Sequence, residues 1–361
     1  MIIFMNLIIK TKEIYLPATH FCVITSAKET DLQTRSTLTS YTYGSLQSYL
    51  LETKKLIESS LENLLEKMPE AKLRPLLEYA LLTKGKRLRP ILVILGAQSI
   101  GGRPEKVMQL ALSYELLHTA TLVHDDIIDQ DVTRRGAKTL CSQWSANGAI
   151  LAGDALIALA INLAAEYGPQ IVKILSNVGL ELCEGEYVDA TLSLTQATEQ
   201  EYFAKIEKKS ASLFRGAACC GALVAEGNAL EVEALARFGE YFGMAYQVND
   251  DLEDLQNRNQ VSQDLKNGNV TLPLLFLYQH GDKTSRKLLT DNFGNRSITK
   301  VAAEKLRIEL DKIGAFSHCR SKVAEYSEQA HASLKDVRNS VFKDYLAQFF
   351  DHVNKSEGQS N

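Results

Sequence analysis

VMQLALSYELLHTATLVHDDII, residues Val107–Ile128, decides the architecture. It holds neither proline nor glycine, and Leu116, Ala120, Val123 and Ile127 recur at the spacing of one helix face. Asp125 lies inside this apolar run and Asp129 follows four residues later, so the two carboxylates share a face one turn apart. Similar spacing marks Leu50 to Leu64, Leu77 to Leu82, Ile91 to Ile100, Ala149 to Ala165, Ile171 to Leu192, Glu201 to Glu226, Leu230 to Leu255, Leu272 to His280, Ala302 to Ile313 and Ser317 to Leu346. These stretches lack the period-2 alternation and flanking hairpin turns of a β protein. The expected fold is all-α, a large single-domain bundle of about ten or more helices around a central substrate cavity.

With 361 residues, 45% of them apolar, the chain can bury one large core. A net charge of −4 with no continuous basic stripe argues against nucleic acid as a partner. Cys22, Cys141, Cys183, Cys219, Cys220 and Cys319 show neither C-x-x-C spacing nor the density of a disulfide scaffold, and read as reduced core residues of a cytoplasmic protein. The apolar opening from Met1 to Ile9 is too short to span a bilayer and lacks a basic lead-in, so no transmembrane segment or signal peptide is expected there. Residues 1–44 read as an N-terminal extension and a candidate for disorder, 45–353 as the main domain, and 354–361 as a polar tail. No fixed-period repeat, Gly-x-Gly-x-x-Gly or Walker-type loop occurs.

A second constellation repeats the aspartate spacing. Gln247-Val-Asn-Asp250-Asp251-Leu-Glu-Asp254 also sits in an apolar-periodic stretch, so two acidic helices can face each other across a bundle core. One such string alone reads equally well as a solvated helix face. Two copies, both embedded in apolar helices, point to a shared cation. Stacked carboxylates repel unless a positive charge separates them, and hard oxygen donors with room for water suit Mg²⁺. Cations also cluster. Lys84, Lys86, Arg87 and Arg89 precede one apolar helix, and Arg134-Arg135 follow the first aspartates. Such groups can hold an anionic diphosphate beside metal, although a basic helix cap is the plainer reading of Lys84 to Arg89.

Taken in order, the motifs Gly85-Lys86-Arg87-x-Arg89-Pro90, His118, Asp125-Asp126-x-x-Asp129, Arg134-Arg135-Gly136, Gly153-Asp154, Lys209-Ser210, Gln247, Asp250-Asp251-x-x-Asp254 and Asp264-Leu-x-x-Gly268-x-x-Thr-Leu-Pro273 resemble the trans-isoprenyl diphosphate synthases, or polyprenyl synthetases. The resemblance runs from about Leu77 to Leu277. It implies a prenyltransferase that joins isopentenyl diphosphate to an allylic diphosphate (geranyl, farnesyl or geranylgeranyl) and makes a longer trans-polyprenyl diphosphate. Lys86, Arg89, His118 and Arg135 would hold isopentenyl diphosphate, and Arg134, Lys209, Ser210 and Gln247 the allylic diphosphate. Asp125, Asp129 and Asp250 would be the principal magnesium ligands, with Asp126, Asp251 and Asp254 in support. Asp125, Asp129, Asp250 and Lys209 would carry catalysis. Three Mg²⁺ ions, a homodimer, and at most peripheral membrane contact for release of the lipid product are also implied.

The chain departs from the family pattern in places. Ser210 stands where threonine is usual, and Lys84 where a second glycine is common. The loop from Asp254 to Asp264 is short and lacks a lysine that normally meets the allylic diphosphate, leaving Arg258 or Lys266 as stand-ins. For product length, Ala120 and Thr121 are small enough for a growing chain to pass. Tyr114 lies eleven positions before Asp125, roughly 16 Å deeper along the helix, and is the first bulky candidate floor. The expected product is therefore C20 or longer. Alternative readings are a class I terpene cyclase, which needs no isopentenyl site; a non-catalytic regulatory subunit of a heteromeric synthase; and a di-iron carboxylate bundle built on Glu115-x-x-His118 and Glu328-x-x-His331.

Overall fold

The computed structural model describes residues 45–68, 71–134 and 136–355. The expected extension over residues 1–44, Arg135, and the tail from residue 356 lie outside the described residues. The first helix, α1 (Leu46–Lys67), precedes α2 (Arg74–Leu82), α3 (Leu88–Ser99) and α4 (Pro104–Ile128), which contains the decisive run. A short hairpin of β1 (Thr133–Arg134) and β2 (Ala137–Lys138) leads to α5 (Leu140–Gln143), α6 (Ala146–Ala165), α7 (Pro169–Thr191) and α8 (Glu199–Ile206). A π-helical turn (Glu207–Ala211) continues into α9 (Ser212–Val224), followed by α10 (Ala229–Gln256) and α11 (Gln263–Asn267). The chain closes with α12 (Leu272–His280), α13 (Lys283–Thr290), α14 (Lys300–Lys312), α15 (Ala315–Ser333) and α16 (Val341–Lys355).

Helix α4 packs against α3 and α6, while α9 lies between α3 and α10, and α10 also packs on α15. Start signals are local. Thr198 with Glu201 and Asn228 with Glu231 form reciprocal capping boxes at the heads of α8 and α10. Helix α6 is long and apolar enough to cross a membrane, with a mean hydropathy of 1.9. Its Ala149, Ala152, Leu156, Ala160 and Ala164 are buried, however, on the side that meets α4, which makes it a core helix with a second, exposed apolar face.

The structure corrects the sequence reading in several places. The stretch from Glu201 to Glu226 is interrupted at Glu207–Ala211, where π-helical bonding inserts an extra residue per turn. That segment is wedged between α7 and α10. A Cβ on Gly185 would lie 2.4 Å from the Lys209 nitrogen, and one on Gly243 would lie 2.6 Å from the Ala211 Cα, so only glycine permits both approaches. The single helix expected from Ser317 to Leu346 is broken. A 3-10 turn at Leu334–Asp336 and an extended Val337 end it, and Ser340 Oγ caps the next helix by accepting from the Lys343 N–H at 3.2 Å. Its continuation, α16, includes Asn354 and Lys355, which the sequence reading placed in the tail. The β1–β2 hairpin, α5, α11 and α13 were not expected; each is too short for periodicity to register.

Candidate active site

A cavity of about 740 Å³ opens among α4, the π turn and α10. Asp125 and Asp129 reach it from the last turn of α4, where the Asp129 N–H donates to the Asp125 carbonyl at 2.8 Å. Asp250, Asp251 and Asp254 reach it from the C-terminal part of α10. Arg89, His118, Thr121, Arg134, Lys209, Ser210 and Gln247 also line it. Members of both aspartate motifs, far apart in the chain, thus share one space with Arg89, Arg134 and Lys209.

Not every aspartate is available. Asp126 is 5% exposed, does not line the cavity, and accepts from Arg134 Nε at 2.5 Å. A residue of helix turns the side chain by about 100°, which takes Asp126 off the Asp125/Asp129 face, and there its carboxylate meets Arg134. Asp251 accepts from the Tyr202 hydroxyl at 2.7 Å and from Gln247 Nε2 at 2.8 Å, and the Gln247 Oε1 accepts from Ser210 Oγ at 2.6 Å. Asp254 accepts from Ser262 Oγ at 2.5 Å and from the Gln263 N–H at 3.3 Å, tying the short loop down onto α10.

Electrostatics single out the remaining carboxylates. Burial, reinforced by the charge of Glu186, pushes the Asp125 carboxyl up to about 8. Burial raises Asp129 to about 6 against the pull of Lys209, and raises Asp251 to about 6 against Lys205. Asp250 is also raised, by desolvation at the cavity wall first and then by Glu253 and Asp254, with Lys86 opposing, while the residue keeps surface open to solvent. Crowded, desolvated carboxylates of this kind hold a proton or attract a cation. Their all-oxygen donor set fits Mg²⁺, which keeps water and phosphate oxygens in its shell. Among the described residues no three His, Cys, Asp or Glu side chains form a closed cage, so such an ion would complete its coordination from substrate and solvent.

The basic stretch before α3 divides its labour. Arg87 adopts a left-handed backbone (φ 57°) at the head of α3 and is buried. Its Nη1 donates to Glu115 at 2.5 Å, and Nη2 donates to the Leu81 and Thr83 carbonyls. Arg89 stacks 4.1 Å over the Phe214 ring at the cavity wall, and Lys86 lies 5.8 Å over Tyr246. Engagement of Glu115 with Arg87 removes one half of the di-iron reading. The other half fails as well, since His331 Nε2 bonds the Ala347 carbonyl at 2.5 Å, away from the cavity. Tyr114 and Ala120 are fully buried and do not line the cavity, whose apolar wall is instead Leu122, Leu182, Ile206 and Leu213.

The family model described as polyprenyl synthetase matches residues 70–308. The chain belongs to the polyprenyl synthetase family. It is therefore a prenyltransferase of isoprenoid biosynthesis. It is 30% identical over 309 residues to a geranylgeranyl diphosphate synthase of Methanosarcina mazei, covering 82% of this chain and 94% of that protein. Against an all-trans-nonaprenyl-diphosphate synthase of Rhodobacter capsulatus it is 33% identical over 270 residues, covering 73% and 82%. A solved geranylgeranyl pyrophosphate synthetase from Geoglobus acetivorans superposes with a TM-score of 0.78 at 29% identity, covering 85% of this chain and 99% of that one. A polyprenyl synthase from Caulobacter crescentus, complexed with calcium and isoprenyl diphosphate, gives 0.79 at 26% identity, covering 86% and 97%.

Asp189 and Lys205 line the cavity and escaped sequence reasoning. Lys209 is held by Glu186 at 2.7 Å and Asp189 at 2.5 Å, and those charges outweigh burial in keeping its ammonium protonated. Lys205 lines the cavity, whereas Arg258 and Lys266, the expected stand-ins for the absent loop lysine, do not. Gln263 and Asn267 in α11 donate to Asp131 Oδ1 at 3.0 and 3.3 Å, and Arg296 donates to the Asp129 carbonyl at 2.5 Å, so the shortened loop is fastened to the end of α4. The only sequence signal was the i, i+4 pairing of Lys205 with Lys209, which reads as an exposed helix face until α7 is seen against it.

Proposed function

We propose that this prenyltransferase condenses isopentenyl diphosphate with an allylic diphosphate (geranyl, farnesyl or geranylgeranyl) to give a trans-polyprenyl diphosphate of C20 or longer. The observation that carries the reading is the convergence of Asp125, Asp129 and Asp250 with Arg89, His118, Arg134 and Lys209 on one cavity. Asp125, Asp129 and Asp250 would hold magnesium, on which the family depends; Asp251 and Asp254, engaged by neighbours, would orient the helix. Bound magnesium, three ions by analogy with the family, would supply positive charge against the charge developing on diphosphate as the allylic C1–O bond breaks.

Lys209, Arg134, Ser210 and Gln247 would bind the allylic diphosphate and steady it as leaving group. Lys86, Arg89 and His118 would place the double bond of isopentenyl diphosphate against the allylic C1, with Arg135 as a further contact. The apolar wall would exclude water from the carbocation, which water would otherwise quench to an alcohol. Loss of a proton to the released diphosphate completes the condensation. Tyr114, buried on the same helix, is proposed as the floor that ends chain growth, once Ala120 and Thr121 have been passed.

A homodimer is part of this reading. Leu151 on α6 and Tyr187 on α7 are 55% and 72% exposed, and with Ile150, Ile161 and Leu180 they present apolar surface suited to a second copy. A cytoplasmic location, with peripheral membrane contact for product release, completes it. Purified protein with Mg²⁺, labelled isopentenyl diphosphate and each allylic primer in turn, its products sized by mass spectrometry, tests the proposal. Elongated diphosphates are expected. Turnover of an allylic primer without isopentenyl incorporation would indicate the terpene cyclase, and no turnover with any primer would indicate the regulatory subunit.

A further inference from the structure

Lys205 is 5% exposed and sits on the wall of a cavity crowded with carboxylates. Its Nζ donates to Asp189 Oδ1 at 2.7 Å and to the Val270 carbonyl at 2.7 Å. The other oxygen of Asp189 accepts from Lys209 Nζ at 2.5 Å. One carboxylate, itself 9% exposed, therefore grips two lysines that stand on either side of the start of the π turn. The two lysines differ in what surrounds them. Lys205 is enclosed and fastened to the backbone at Val270, whereas Lys209 is 23% exposed, also meets the Glu186 carboxylate at 2.7 Å, and faces Asp125 and the open cavity.

A buried carboxylate left without a counter-ion is strongly unfavourable. If Lys209 alone neutralised Asp189, drawing its ammonium toward an incoming diphosphate would strand that charge. With Lys205 permanently in place, Lys209 can transfer to substrate while Asp189 stays paired. Next to the Val270 carbonyl, Thr271 Oγ1 is buried without a hydrogen-bond partner among the described residues and lines the same cavity. The lysine thus also pins a segment that offers an unused hydroxyl to a ligand.

We infer that Lys205 is a positioning residue for allylic diphosphate: it is the resident counter-ion of Asp189 that releases Lys209 to the substrate. The inference rests on the prenyltransferase reading. Lys205→Met, matched in size, is expected to raise KM for the allylic diphosphate about ten-fold, the scale of a lost charged hydrogen bond, with KM for isopentenyl diphosphate unchanged. Removing the stranded charge as well, in Lys205→Met/Asp189→Asn, is expected to restore the allylic KM to near wild type. A folded Lys205→Met with unchanged allylic KM, or a double variant with no recovery, overturns the inference. Stabilisation by magnesium and inorganic diphosphate, read as a melting shift, gives a measure independent of turnover. It is expected to shrink in Lys205→Met and return in the double variant, even if the wild type extends no primer. Should Lys205→Met not fold, the double variant alone decides, because loss of its diphosphate-induced shift contradicts the release of Lys209.

Discussion

Ser210 Oγ donates to Gln247 Oε1 at 2.6 Å, and Gln247 passes the constraint on by donating to Asp251 at 2.8 Å. The pair joins the π turn to α10 on the cavity wall. Ser210→Ala leaves a half-buried acceptor without its partner and frees Gln247 to rotate. Its kcat/KM for the allylic substrate should fall about ten-fold, while Ser210→Thr, which keeps the hydroxyl, should stay near wild type. Steady-state kinetics on both variants check this, and equal loss in the two would exclude the hydroxyl as the cause.

Arg87 and Glu115 form a buried pair, each 5% exposed at the side chain. Glu115→Leu should destabilise the protein by about 3–5 kcal/mol because the guanidinium loses its charged partner in the core. Arg87→Met/Glu115→Leu should recover most of that loss. Denaturant unfolding of the single and double variants measures both numbers. A small loss in the single variant would place this pair among ordinary surface ion pairs.

The carboxyls of Asp125 and Asp129, raised to about 8 and about 6 by burial, lie above the aspartate value of about 3.9 in an unfolded chain. The folded protein then holds protons that the unfolded chain has released, so the contribution of these groups to stability is present below the unfolded value and is lost as pH rises through the folded values. Metal-free protein should therefore lose melting temperature between about pH 5 and about pH 8.5. With magnesium held at Asp125 and Asp129 as proposed, the ion would replace the protons, so its stabilising effect should grow over the same range. Melting curves with chelator and with Mg²⁺ provide the comparison, and a magnesium effect that did not change with pH would contradict it.

Tyr114 is fully buried and its hydroxyl donates to Cys220 Sγ at 3.3 Å. If Tyr114 is the floor proposed above, Tyr114→Ala opens it, and products longer than those of the wild type are expected by mass spectrometry. The truncation should cost about 3–5 kcal/mol of stability, as for other large-to-small core changes, so a melting curve belongs beside the product assay. Unchanged product length in a folded variant would place the floor at Leu122, Leu182 or Leu213, which already line the cavity.

Helix identity and the acidic faces were written locally. The 3.6-residue period of Val107–Ile128 and the i, i+4 spacing of Asp125 with Asp129 and of Asp250 with Asp254 follow from helix geometry alone, and they suffice for an all-α chain with two carboxylate-bearing helices. Local geometry could not say which neighbour each side chain meets. Asp126 turned to Arg134, Asp254 became the anchor of a loop, Glu115 closed on Arg87, and Lys205 entered the core against Asp189. Each of these outcomes depends on partners from 8 to 28 residues away along the chain, brought together by packing. The sequence by itself determined helices, motifs and the likeness to a family. Tertiary structure alone decided which of the charged residues face the cavity and which neutralise one another in the core, because the cost of a buried charge is set by its three-dimensional surroundings and not by its neighbours in sequence.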